Sequence, residues 1–457
     1  MTTWYDRAVF YHMYPLGMTG APKQNTPEAA ACRFEELDAW IPHIKSLGAS
    51  AVYIGPLFES GSHGYDTADY RRVDRRLGSN EDFARFCGLC RRENIRVVVD
   101  GVFNHTGREF PAFRDIREKR WDSPFRDWYR GVRFDCQSPM GDPFCYDAWQ
   151  GHFELPCLNL QNPQVRAYLF DVVRFWIEEF DIDGIRLDCA NVLDFGFMEE
   201  LRKETGAMKK DFWLMGEVIH GDYARWANPR LLHSVTNYEL HKSIYSGFND
   251  HNFFEIAHNV RRLQAIGREL YTFVDNHDED RIASKLKDEN HLCPVYMCLF
   301  TLPGIPSVYY GGEWAVKGRR TKTSDAELRP ALSVGQAPAL RVPLTDLIAH
   351  LGQIHGQIPA FHHGEYQELL LTNRQYAYSR RNGDSLAVTV LNNDDQESEL
   401  VIPMPFPSGT ALPLISGNGK AAPIPFENGR FHTVLKGNWG EIFIIRSQEC
   451  GGYTGHT

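Results

Sequence analysis

Eight short apolar runs recur along most of this chain, each separated from the next by a stretch with helical spacing. They are AVFYHMYP from Ala8, AVYIGPLF from Ala51, VVVDGVF from Val97, GIRLDCA up to Asp188 and Ala190, WLMGEV through Glu217, SVTNYEL from Ser234, LYTFVDNHD from Leu270 and PSVYYGG from Pro306. Runs this short and this apolar read as strands buried on both faces, the pattern of a parallel sheet. Eight strand–helix alternations predict a (β/α)₈ barrel, a TIM-type α/β fold.

The connecting helices are legible one by one. Phe34, Leu37, Ile41, Ile44 and Leu47 fall at helical spacing and stop at Gly48, while Pro42 should kink that run or delay its start. Asn80, followed by Glu81 and Asp82, reads as an N-cap with an acidic first turn. Asn162-Pro163 opens a third helix, with proline at its favoured first position. The expected domains are a barrel over 1–104 and 163–360, an inserted cleft-wall domain over 105–162 with no clear helical period, and an antiparallel C-terminal β-sandwich over 361–450. Asn382-Gly383, Asn428-Gly429 and Gly437-Asn438 supply turn chemistry for the sandwich, and the tail 451–457 is expected to be disordered.

Asp188, Glu217 and Asp278 each stand at the downstream end of a strand-like run, so a barrel would gather them on the face where such folds place their chemistry. Asp100, Asn104 and His105 end the third run, and Asn276 and His277 precede Asp278. Arg186 lies two residues before Asp188, so strand alternation points both side chains the same way. An arginine beside Asp188 keeps that carboxylate ionised, as a nucleophile requires. The apolar setting of Glu217 after Trp213, Leu214 and Met215 suits a proton donor. Two carboxyl groups flanking one bond are the minimum machinery for cleaving a glycoside, and a third can bind the sugar. Glu313 and Trp314, after the eighth run, read equally as pocket lining or as structural residues.

The formal charge of −10 argues against nucleic acid and anionic membrane surfaces as partners. Arg71, Arg72, Arg75 and Arg76 form the one basic cluster and are expected to be a solvated face. The ten cysteines show no disulfide framework, and the C-x-x-C of Cys87 and Cys90 falls on an apolar helix face, which favours packing over redox or zinc chemistry. No run reaches membrane-spanning length and MTTWYDRAVFYHMYP lacks a signal-peptide pattern, so a cytoplasmic location is expected. The oligomeric state is left open.

DGVFNHT, GIRLDCAN, GEVIH and FVDNHD resemble the four signature regions of the α-amylase family of retaining glycoside hydrolases and transglycosylases, and LPCLN resembles its fifth. HGYDTADY and GIPSVYYG are similar to further family segments, in the same order along nearly the whole chain. The resemblance implies that Asp188 is the nucleophile, Glu217 the acid and then base, and Asp278 the partner of the sugar 2- and 3-hydroxyls. It implies sugar-binding roles for Tyr65, His105, His277 and Asn191, with Arg186 orienting Asp188 helped by Asp100. No cofactor is expected to be required. Asn104 corresponds to a calcium ligand in many α-amylases, and a strand-end cap is the other reading of that residue.

Within the family, LPCLN and LDCAN are most similar to the neopullulanase, cyclomaltodextrinase and maltogenic amylase group, whose N-terminal β-domain is not seen here. Val192 and Ile219 stand where that group usually carries Glu and Trp. The expected activity is hydrolysis of maltodextrins or cyclomaltodextrins, mostly at α-1,4 bonds. A transglycosylase on the same machinery is the alternative, and an inactive glucan-binding protein would be expected to lack one of the three acids.

Overall fold

The fold is described by a computed structural model covering residues 3–417 and 422–447; the predicted tail 451–457 lies outside the described residues. Eight parallel strands form the central sheet: β1 (Phe10–Met13), β2 (Ala51–Ile54), β3 (Arg96–Gly101), β4 (Gly184–Leu187), β5 (Trp213–Gly216), β6 (Ser234–Val235), β7 (Tyr271–Phe273) and β8 (Ile305–Tyr309). Their order around the sheet is β6-β5-β4-β3-β2-β1-β8-β7. A parallel bridge from Thr236 to Tyr271, with Asn237 N–H donating to Tyr271 O at 2.9 Å, closes β6 against β7. The barrel has no free edge.

Strand alternation sorts the side chains. Phe10, Ala51, Tyr53, Val98, Trp213, Met215, Tyr271 and Phe273 pack together inside the barrel, with Trp213 stacked on Phe10 at 4.9 Å. Tyr11, Val52, Val97, Val99, Ile185 and Leu214 belong instead to the larger core between strands and helices. Counting on by two from the interior residues reaches His12, Asp100, Arg186 and then Asp188 and Glu217, so the periodicity that packs the barrel also loads its mouth.

Local details bear out some expectations and correct others. The helix beginning at Phe34 breaks into Phe34–Asp38 and Ile41–Ser46, with Pro42 in the first turn of the second piece. The N-cap of helix Asn80–Arg92 is Ser79, not Asn80: Ser79 and Asp82 form a capping box, which frees the Asn80 side chain to accept from Val73 N–H and donate to Arg71 O. Arg76 is not solvated. It is fully buried, paired with Asp74 at 2.7 Å, and donates to Ser62 O and Ser60 Oγ, so it stitches together the loop that carries Tyr65. Helix Pro163–Phe180 is capped by Asn162 as the sequence predicts. Cys87 and Cys90 are buried on their helix, where burial pushes the Cys90 thiol up to about 12.

The insert contains a helix the sequence reading missed, Pro111–Lys119, whose short inner face is only Ala112, Phe113 and Ile116. A hairpin of Ala148–Trp149 with His152–Pro156 follows. Cys136 and Cys145 are disulfide-bonded, a pairing their spacing did not point to. Downstream, a six-stranded antiparallel sheet from Glu365 to Ser447 packs against the pair Ser398–Pro403 and Arg430–Leu435 through Val388, Val390, Ile402, Phe431 and Phe443. Asn428 and Gly429 both adopt positive φ, as the tight turn before Arg430 requires. Among the described residues, no helix is long and apolar enough to cross a membrane.

Candidate active site

Arg186, on β4, reaches three carboxylates from the floor of the barrel mouth. Its Nη1 lies 2.9 Å from Asp100 Oδ1 and 2.8 Å from Asp188 Oδ1, and its Nη2 lies 2.9 Å from Glu217 Oε1. All four residues are buried. One guanidinium cannot neutralise three carboxylates, so the cluster favours keeping a proton. Burial pushes the Glu217 carboxyl up, and the negative charges of Asp188 and Asp278 push the same way against Arg186 and the Cys189 N–H. Burial also pushes Asp100 up, with Arg186 opposing.

Asp100 is further held by the Tyr53 hydroxyl at 2.8 Å and the Tyr65 hydroxyl at 3.2 Å. The chain just after β2 leaves it room because residue 55 is glycine: a Cβ there would stand 2.6 Å from Asp100 Cβ. Tyr65 stacks on His277 at 5.7 Å and brings its hydroxyl 2.6 Å from His277 Nε2. His277 Nε2 is also 2.9 Å from Asp278 Oδ2. Burial raises the Asp278 carboxyl, but His277 and Arg329 outweigh it and hold the group well below the ordinary carboxylate range. Asp278 is thus held as an anion beside an acid whose hold on its proton is strengthened.

His105 is buried, and burial lowers its pKa, so the ring is neutral near pH 7. The Asn104 amide lies 3.2 Å from His105 Nδ1; donating there, it leaves the ring proton on Nε2, which has no partner among the described atoms. Asn104 is also 4.0 Å from Cys157 Sγ. Both contacts use the amide nitrogen; a calcium ion would take the amide oxygen, Oδ1, which neither contact engages. The cluster Asp188, Cys189 and Glu217 converges within 4.8 Å in a manner compatible with metal ligation, but Arg186 already occupies its electrostatic role.

The structure therefore brings together Asp188, Glu217, Asp278, Asp100, Arg186, His277 and Tyr65 in one bonded network, with His105 on the insert side. It does not bring in Asn191, which is exposed on the turn Ala190–Val192 and joins none of these bonds among the described residues. Glu313 and Trp314 are buried away from the mouth; Glu313 accepts from the Tyr11 hydroxyl and meets His43 Nε2, both at 2.8 Å.

Four contributors were not singled out from sequence. Arg329 lies 2.9 Å from Asp278 Oδ1, donates to His277 O and pairs with Asp325. Tyr238 stands 3.4 Å from Glu217 Oε1 and accepts from Asn276 at 3.1 Å. Trp149, on the insert hairpin, sits 5.8 Å from the His105 ring and stacks with exposed His152. Cys189 touches both Asp188 and Glu217. Only Tyr238, next to the helix cap Asn237, and Cys189, next to an acid, had a local signal; Arg329 and Trp149 arrive through the fold.

A closed parallel barrel with carboxylates and an arginine at the ends of β3, β4 and β5 and after β7 defines a glycoside hydrolase architecture. The model of the α-amylase catalytic domain matches residues 37–344, and the chain belongs to the α-amylase family of glycoside hydrolases. It is 32% identical over 339 residues to a maltogenic α-amylase of Bacillus acidopullulyticus, covering 69% of this chain and 57% of that protein. It is 27% identical to a cyclomaltodextrinase of Geobacillus thermopakistaniensis, over 92% of this chain and 74% of that one. Among solved structures, the ligand-free cyclic α-maltosyl-(1→6)-maltose hydrolase of Arthrobacter globiformis superposes with a TM-score of 0.78 at 25% identity, over 95% of this chain and 99% of that one.

Proposed function

We propose that this chain is a retaining α-glucoside hydrolase of maltodextrins, cyclomaltodextrins or related α-glucans, acting mostly on α-1,4 bonds by double displacement. The observation that carries the reading is that Asp188 and Glu217 share one guanidinium, Arg186 reaching them at 2.8 and 2.9 Å, so that the two carboxyl groups face one another across a short gap. Retaining enzymes hold their two carboxyl groups roughly 5–5.5 Å apart, whereas inverting ones need roughly 6.5–9.5 Å to admit a water. Asp188 attacks the anomeric carbon while Glu217 protonates the departing oxygen; Glu217 then takes a proton from the water that releases the sugar. Asp278 and His105 Nε2–H bind hydroxyls of the same sugar ring, and Tyr65 stacks on its face. The names of the relatives supply the substrate class, an α-glucan oligosaccharide.

A second reading, glycosyl transfer to a sugar acceptor, is favoured by Val192 and Ile219, which follow the two acids and expose apolar surface, 48% and 43% accessible. An apolar wall there binds a sugar face better than it orders water.

The test is product analysis on maltotriose, maltoheptaose, β-cyclodextrin, pullulan, sucrose and trehalose, with Asp188→Asn beside the wild type. The substitution is expected to lower turnover at least about 10⁴-fold. Undiminished turnover would sink the mechanism, and cleavage confined to sucrose or trehalose would sink the substrate class.

A further inference from the structure

Cys189 follows the nucleophile and adopts positive φ, +49°, a conformation that is costly for a residue with a side chain and that persists where surroundings enforce it. The turn has two consequences. The Cys189 N–H donates to Glu217 Oε2 at 3.1 Å, and its thiol donates back to Asp188 Oδ2, also at 3.1 Å. Asp188 Oδ1 is taken by Arg186, so Oδ2 is the oxygen left to attack, and the thiol is the side-chain donor bonded to it.

We propose that Cys189 is a positioning residue whose thiol sets the balance between formation and breakdown of the glycosyl-enzyme by donating to the attacking oxygen of Asp188. The inference rests on the double-displacement reading. In the first step Oδ2 bonds to the anomeric carbon, the glycosidic C–O bond breaks, and the Glu217 proton goes to the departing oxygen. In the second step a water oxygen bonds to that carbon, its proton returns to Glu217, and the C–Oδ2 bond breaks. The thiol keeps its proton throughout. A donor on Oδ2 stabilises the free carboxylate relative to the ester, so it restrains attack and speeds release. A thiol donates weakly enough to be shed on attack, where a stronger donor would hold the oxygen in place. Burial and the adjacent charges of Asp188 and Glu217 hold the thiol far above its ordinary pKa, which keeps it a donor and not a competing nucleophile.

The experiment compares wild type, Cys189→Ala and Cys189→Ser on α-maltosyl fluoride, whose good leaving group makes ester hydrolysis the slower step. In Cys189→Ala, kcat is expected to fall about threefold while kcat/KM, which reports the attack, rises by up to about threefold, so that KM falls more than kcat; Cys189→Ser, which keeps a donor, restores kcat to within about twofold. An equal fall in kcat and kcat/KM, no change at all, or failure of serine to restore kcat would overturn the proposal. Should Cys189→Ala fail to fold, the S–H stretching band in the difference infrared spectrum of wild type against Cys189→Ser decides: a hydrogen-bonded band that weakens its bond in Asp188→Asn supports the contact, and a band indifferent to that change refutes it. Trapping wild type with 5-fluoro-α-glucosyl fluoride separates the two levels. An adduct on Asp188 without the kinetic split removes only the thiol's role, and no adduct removes the double displacement as well.

Discussion

Nη2 of Arg186 stands 2.9 Å from Oε1 of Glu217, although Glu217 is the acid whose carboxyl is pushed up by burial. The pairing makes sense because the same guanidinium serves Asp100 and Asp188 as well. A fork of fixed donors can hold three oxygens at once, which a point-charged ammonium cannot do. Arg186→Lys is therefore expected to lower kcat on maltoheptaose about a hundredfold or more, with a smaller effect on KM. Wild-type kcat in that variant would show the fork to be dispensable.

Glu217→Gln should stabilise the protein at neutral and alkaline pH while abolishing turnover. The folded carboxyl is raised above its ordinary value of 4.5 by burial and by Asp188 and Asp278. Below the unfolded pKa both states are protonated and the charge makes no difference. As pH rises, the unfolded chain ionises first, so wild type loses stability through the window from the unfolded to the folded pKa, and glutamine does not. Melting curves of the two proteins should coincide near pH 4 and separate by pH 8, the variant melting higher.

Arg76→Met removes one partner of a fully buried ion pair and leaves Asp74 uncompensated. Such breaks cost about 3–5 kcal/mol. Urea unfolding measures the loss, and the same variant should raise KM, because Arg76 also holds Ser60 and Ser62 in the loop that presents Tyr65. A stability change below about 1 kcal/mol would mean that the pair is not buried as described.

Val192→Glu and Ile219→Trp place on this chain the residues usual in the group it resembles. Both positions are exposed, so folding should be unaffected, with melting temperature unchanged. The expected change is in acceptor use: the ratio of transfer products to hydrolysis on maltotriose, read by chromatography, should shift at least about threefold, the scale of one modest pocket contact. An unchanged ratio in both variants would place acceptor choice elsewhere.

Treatment with EDTA should leave both the melting temperature and the turnover of maltoheptaose where they were. Among the described residues the one convergence of three acidic or sulfur ligands is Asp188, Cys189 and Glu217, which Arg186 holds, and none forms around Asn104. A loss restored by calcium would identify ligands that the surroundings of Asn104 do not suggest.

The strand pattern was open to sequence reading because a parallel barrel buries both faces of every strand, and Val97–Val99 or Trp213–Met215 can then carry nothing but apolar side chains. The acids at the strand ends stood out against those runs for the same reason. Ser79, the helix Pro111–Lys119 and the disulfide Cys136–Cys145 did not stand out. Ser79 and Asn80 are both good caps, and which one serves depends on the loop that claims Asn80 through Val73 and Arg71. The insert helix buries three residues, too few to print a period.

By itself, then, the sequence determined the barrel, the three acids and the Arg186–Asp188 alternation, because these follow from periodicity within one strand. Only the tertiary structure decided which charges meet: that Arg186 serves Asp100 and Glu217 as well as Asp188, that Arg329 comes from 51 residues downstream to hold Asp278, and that Asn191 stays outside. It also turned Cys189 onto both acids and buried Arg76. Those pairings depend on where closure of the sheet sets β3, β4 and β5 relative to the loop after β7, and a distance across a barrel leaves no trace in local spacing.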